Sequence, residues 1–213
     1  MTRVVYLHGF ASGPTSRKAR FFGERLRAAG LAVDVPDLSE GGFAGLTISG
    51  QLAVIERVAA GDPVVLMGSS MGGYLAALYA ARHPEVPRVV LLAPAFGFAR
   101  RWPESLGEDG MRQWKEQGWR EVFHYATGQP ARIGYQLIED GLRYEDFPEF
   151  RQPALIFHGL QDDVVPAAFS EEFAAGRTNV TLHLLESGHE LTDVMEQVWT
   201  AAEPFLMGSP GRD

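Results

Sequence analysis

The sequence predicts an α/β fold built as one domain, with a parallel sheet of about six strands and helices on both faces. Three observations lead there. Short, nearly continuous apolar runs recur along the chain, as strands buried on both faces require. Amphipathic or alanine-rich stretches of helical length separate those runs. A Gly-x-Ser-x-Gly turn, Gly68-Ser69-Ser70-Met71-Gly72, joins one run directly to a helix, which is the mark of a sharp strand-to-helix elbow. The 213 residues suffice for a single sizeable core, so positions 1–213 are expected to form one domain.

The strands are expected at 3–8, 31–35, 64–68, 88–93, 154–158 and 180–185. Pro63, Pro87 and Pro153 stand at or just before strand starts, where a missing amide hydrogen is tolerated. The first helix should run from a cap at Ser16 to a stop at Gly30. The second presents Ile48, Leu52, Ile55 and Val58 on one face, and the third follows the elbow from Gly73. In the last, Leu191, Val194, Met195, Val198, Ala202 and Phe205 fall at helical spacing. The tail from Gly208 to Asp213 reads as frayed. One stretch, 96–150, is too long for a simple crossover. It holds Trp102, Trp114 and Trp119, three of the four tryptophans. Met111, Trp114, Gly118, Trp119, Val122 and Phe123 are expected to form the inner stripe of a helix. Because the insertion leaves from a strand's carboxyl end, where such sheets bind ligands, it is expected to be a helical lid over an apolar pocket. Trp102, Trp114, Trp119 and His124 are its candidate lining.

Composition narrows the function. Apolar residues make up 46% and charged residues 22%, and 19 lysines and arginines against 27 aspartates and glutamates give a net charge of -8. An acidic chain with no basic cluster is a poor partner for nucleic acid or an anionic membrane. Cysteine is absent, which excludes disulfides, thiolate metal sites and cysteine nucleophiles. No apolar leader and no run of membrane-spanning length is present, so a cytoplasmic protein is expected. Whether it is a monomer or a homodimer is not legible.

Right-handed crossovers with strand 2 outside strand 1 give the order 2-1-3-4-5-6. The winding then reverses between strands 1 and 3, and a crevice opens at their carboxyl ends. Two loops meet there, His8-Gly9-Phe10-Ala11-Ser12 and the elbow that carries Ser70. A serine hydroxyl needs a base within hydrogen-bond reach to act as a nucleophile at neutral pH. Of the six histidines, His8 and His158 end strands before glycine and are expected to brace loops. His83 ends a surface helix, His124 lies in the insertion and His183 inside a strand. His189, in Glu186-Ser187-Gly188-His189-Glu190, follows the last strand on a loop at the same sheet edge and is the expected base. Asp162 is the expected acid that orients it, with the adjacent Asp163 as alternative. The chain order Ser70, Asp162, His189 differs from the chymotrypsin and subtilisin orders.

With these motifs in place the chain resembles the α/β-hydrolase superfamily over nearly its whole length. The run from His8-Gly9-Phe10 through Ser16-Arg17-Lys18 resembles small bacterial YqiA-like esterases. The half that carries Asp162-Asp163-Val164-Val165-Pro166 and Gly188-His189 is similar to carboxylesterases and acyl-protein thioesterases. The resemblance implies an oxyanion hole from the Phe10 backbone amide together with that of Met71. It also implies cleavage of esters with small to medium apolar acyl or aryl groups through an acyl-enzyme on Ser70. No metal or organic cofactor is required. A thioesterase, amidase or peptidase on the same three residues is the nearest alternative, and a non-catalytic binding protein on this fold a remote one.

Overall fold

The computed structural model describes residues 3–40 and 42–208; the tail expected to fray lies, beyond Gly208, outside the described residues. Six strands form the main sheet: β1 (Arg3–Leu7), β2 (Ala32–Asp34), β3 (Val65–Ser69), β4 (Val89–Leu92), β7 (Ala154–Gly159) and β8 (Val180–Leu185). All pairs are parallel, in the order β2-β1-β3-β4-β7-β8. With β5 (Trp119–His124) and β6 (Gln129–Gly134) set aside in the insertion, this is the expected order. β1 pairs with β3 from Val4↔Val65 to Leu7↔Gly68, so their carboxyl ends finish side by side.

Each central strand divides its side chains between two cores, because successive residues of a strand point to opposite faces. Val5, Leu7, Leu66 and Ile156 pack with helices α2 (Ile48–Ala59), α3 (Met71–Arg82) and α6 (Ala168–Ala174). Val4, Tyr6, Met67 and Phe157 pack with α1 (Arg17–Ala28) and α7 (Met195–Met207). Helix α1 starts where expected, with the Ser16 hydroxyl accepting from the Ala19 amide at 3.4 Å. Helix α7 starts later than its apolar stripe suggests. Leu191 precedes it at φ 51°, in the turn that carries His189, yet its side chain is buried in the same core.

The insertion departs from expectation. Helix α4 (Phe98–Gln117) is broken at Gly107, whose φ of 67° and ψ of 169° are non-helical. It ends at Gly118, in the left-handed region, whose amide donates to the Trp114 carbonyl at 2.9 Å. Trp119, Val122 and Phe123 therefore do not continue the helix. They belong to β5 (Trp119–His124), which pairs antiparallel with β6 (Gln129–Gly134) before the short α5 (Gln136–Gly141). Aromatic and β-branched residues are at home in such a ribbon, and Phe123 ends up exposed instead of lining an inner face. Among the described residues no helix is long and apolar enough to cross a membrane.

The β3–α3 turn exists because two residues lack side chains. A Cβ on Gly68 would fall inside the Gly72 carbonyl, and one on Gly72 inside the backbone carbonyls of Leu7 and His8. Neither backbone can yield without opening the sheet. Gly72→Ala should lower stability by about 3 kcal/mol. Gly45→Ala, with nothing within 4 Å of its new methyl, should stay within about 0.5 kcal/mol of the parent. Denaturant unfolding of both variants checks this, and equal costs would refute the close-approach argument.

Candidate functional site

Ser70 sits at the apex of the β3–α3 turn with φ 54° and ψ -118°, outside the regions an L-residue normally occupies. Its backbone is locked in place. The Ser70 amide donates to the Leu92 carbonyl at 2.8 Å, and its carbonyl accepts from the Tyr74 and Ala95 amides at 3.0 Å each. The side chain thereby projects above the carboxyl edge of the sheet, into the crevice between the ends of β1 and β3.

Three residues far apart in sequence converge there. The Ser70 Oγ lies 3.0 Å from His189 Nε2, and His189 Nδ1 lies 2.7 Å from Asp162 Oδ2. Asp162 comes from the loop after β7 and His189 from the loop after β8, and those loops are clamped together. The Leu160 amide donates to the Leu185 carbonyl at 2.8 Å and the Gln161 amide to the Ser187 carbonyl at 3.0 Å. Between the two sequence candidates for the acid, Asp162 meets the histidine, while Asp163 is exposed.

The Asp162 carboxylate is fully engaged. Oδ1 accepts the Val164 amide at 2.9 Å and the Val165 amide at 2.7 Å. Oδ2 is shared by His189 and by His158 Nε2, the latter at 3.0 Å. His158 is wholly buried. Its Nε2 also lies 2.8 Å from the Val165 carbonyl and its Nδ1 2.7 Å from the Ser170 hydroxyl. Expected only to brace a loop, His158 braces the loop by holding the carboxylate that orients His189. Burial alone would raise the Asp162 pKa, but hydrogen bonds from His158, His189 and the Val165 amide outweigh it and hold the carboxyl far below its ordinary range.

His8 and His83 are engaged by other contacts. His8 Nε2 accepts the Leu38 amide at 3.2 Å and Nδ1 donates to the Gly9 carbonyl at 3.0 Å, the pattern of a neutral ring. Burial lowers its pKa, in the same sense. His83 stacks on Tyr79 at 3.8 Å at the end of α3. Among the described residues, no turn or loop backbone–backbone hydrogen bond engages the amides of Phe10 or Met71.

A cavity of about 580 Å³ opens from Ser70 beneath α4, walled by Phe10, Ala95, Phe98, Trp102 and Val165. Trp102 is thus where it was expected. Trp114 is not: it is buried behind Trp102, with ring centroids 5.0 Å apart, and its indole N–H donates to the Ile133 carbonyl. Trp119 lies on the hairpin under the Arg132 guanidinium, 3.8 Å from its ring centroid. His124 packs edge-on against Phe43 and bonds Thr127. Trp114 and His124 tie the insertion to the core, Trp119 stacks within the hairpin, and none of the three lines the cavity. Arg100 is paired with Asp146, and Arg101 lies over Phe169 with its guanidinium on the Val164 carbonyl.

Because the folded pKa of Asp162 is depressed, its ionisation stabilises the fold above the unfolded carboxylate range, about pH 4, and that contribution is lost as pH falls toward the folded value. Asp162→Asn should therefore destabilise most near neutral pH. The gap to the parent should narrow as pH falls from about 5 toward 2. Denaturation midpoints across that range measure it, and a gap that does not change with pH would contradict the charge-assisted network.

The same architecture recurs in known proteins. The chain is 25% identical to the AB hydrolase superfamily protein YisY of Bacillus subtilis (strain 168), covering 87% of this chain and 84% of that one. It superposes on mouse alpha/beta hydrolase domain-containing protein 10 with a TM-score of 0.81 at 20% identity, over 96% of this chain and 89% of that one. On Est1E from Butyrivibrio proteoclasticus, solved with ferulic acid bound, the TM-score is 0.79 at 20% identity, over 97% and 88%. The fold is that of the α/β hydrolases. The model of the uncharacterised protein family UPF0227 matches residues 3–205, through both the YqiA-like half and the half that bears Asp162 and His189, and the chain belongs to that family.

Proposed function

We propose that this α/β hydrolase cleaves carboxylic esters with small to medium apolar acyl or aryl groups by acyl transfer to Ser70. The observation that carries the reading is the unbroken hydrogen-bonded relay from the Ser70 hydroxyl through His189 to Asp162, mounted on a strained serine. Ser70 Oγ bonds to the carbonyl carbon while its proton passes to His189 Nε2. Asp162 holds the ring and stabilises the imidazolium. The oxyanion that develops is received by the Met71 and Phe10 amides, the first of them at the amino end of α3, where the helix dipole favours negative charge. The C–O bond then breaks and His189 returns the proton to the departing oxygen. Water repeats the sequence on the acyl-enzyme, releasing the acid and restoring Ser70. The insertion, with Phe98 and Trp102 over the 580 Å³ cavity, acts as the lid that shapes the acyl site.

Ser70→Ala should reduce turnover of p-nitrophenyl esters on the order of a millionfold. A residual rate within about tenfold of the parent would overturn the assignment. The ester series from acetate to palmitate, assayed with the parent, should show an optimum set by the cavity under α4. His158→Phe, which removes one donor from Asp162, should lower kcat about a hundredfold with KM near the parent value. His158→Asn, which keeps a donor, should recover part of the loss. A merely structural role would lower active-site titre without changing kcat per active site.

A further inference from the structure

Ser70 lies in the wall of a second cavity, of about 680 Å³, on the side of α1 and the loop after β8. Its lining is more polar than that of the first, with Tyr6, Ser12, Thr15, Lys18, His189 and Glu190 among it. We infer that this cavity is the leaving-group subsite, and that it receives an anionic group, carboxylate or phosphate, on the Lys18 ammonium and the Tyr6 hydroxyl. The inference rests on the acyl-transfer reading above.

The direction follows from the general acid. In acyl transfer the departing atom takes its proton from the histidine, so the leaving group must lie on the histidine's side. His189 lines the second cavity and is absent from the wall of the apolar one. The acyl group then occupies the space under α4, and the alcohol points toward α1.

The charge follows from two side chains that the mechanism leaves unused. Lys18 is buried on α1, its side chain 11% exposed, and its ammonium lies 3.1 Å from the carboxylate of Glu190, which is 72% exposed. Burial pulls the Lys18 pKa below its ordinary value, and the charges of Glu190 and Asp162 offset only part of that. A buried ammonium needs a counter-charge, whereas an exposed carboxylate loses little by turning into water. Glu190 thus holds the place of an incoming anion. Tyr6 is the second group. Its hydroxyl is fully buried at the cavity wall, where the Ser69 side chain is within reach but makes no hydrogen bond of good geometry with it. A buried hydroxyl without a well-made hydrogen bond is costly, and a ligand oxygen relieves it. Lysine offers only donors and the tyrosine hydroxyl one more, which together match an anion's lone pairs. The overall charge of -8 repels anions in general, so this recognition is local.

The test compares 4-carboxyphenyl butyrate with its neutral isostere 4-carbamoylphenyl butyrate, and reads the ratio of their kcat/KM values. The parent should favour the carboxylate by about tenfold or more. Lys18→Met should bring the ratio close to one. Glu190→Gln, a change at an exposed residue, should raise it by removing the competing carboxylate. Tyr6→Phe should lower it severalfold with little loss of stability, since the hydroxyl makes no hydrogen bond of good geometry. A parent ratio near one would overturn the proposal. So would a Lys18→Met variant that slows both esters equally, the behaviour of a plain tether between α1 and the His189 loop. Failure of the parent to cleave either ester would instead sink the hydrolase reading, and this inference with it.

Discussion

The constraint on which the site depends is the conformation of one backbone. Ser70 is held at φ 54° and ψ -118°, a state that costs a non-glycine residue about 1–3 kcal/mol. It persists because its neighbours leave no alternative. Leu92 takes its amide, Tyr74 and Ala95 share its carbonyl, and Gly68 and Gly72 let the helix press against β3 and β1 more closely than any side chain permits. The strain is distributed over core contacts of the central strands, so the elbow is as rigid as the sheet beneath it. A hydroxyl on such a support meets His189 with little ordering left to do, which is where much of the advantage of a preformed site lies.

Electrostatically the centre is Asp162. One carboxylate serves two backbone amides and two histidines, and both of its oxygens are committed in geometry. His189 thus has a partner that neither rotates nor protonates in the neutral range. His158, anchored in turn by Ser170 on α6 and by the Val165 carbonyl, ties this local order to the last strands of the sheet. Buried polar networks of this kind are stable only when every member is satisfied, and among these residues each named polar atom has a partner.

Much of this was legible beforehand. The six strands were readable because strands buried on both faces are apolar without interruption, and their order followed from the handedness of crossovers. Ser70, Asp162 and His189 were readable because each follows a strand at the same sheet edge. What escaped has identifiable physical causes. Trp119, Val122 and Phe123 fit a helical period and a strand period alike, and the left-handed Gly118 that decides between them has no unique signature beside the many other glycines. Trp114 and His124 resembled pocket residues by type, although burial put them behind the wall. Tyr6 looked like one more apolar residue of β1, and Lys18 like one more charge on α1. Only the pairing of β1 with β3, and the packing of α1 against α7 and the loop after β8, make them neighbours of Ser70. The second bond of His158 depends on a turn closing over four residues, which no periodicity records.

The break at Gly107 divides α4 into two rods with separate duties. The first carries Phe98 and Trp102 into the wall beside Ser70. The second carries Trp114, sunk in the core and bonded to β6. Because the glycine breaks the helix, the two rods are coupled by side chains, Trp102 against Trp114, and not by a continuous helical backbone. Substitutions at the exposed positions of the first rod can therefore reshape the cavity wall beside Ser70 while the elbow and the attachment of the second rod to β6 stay as they are.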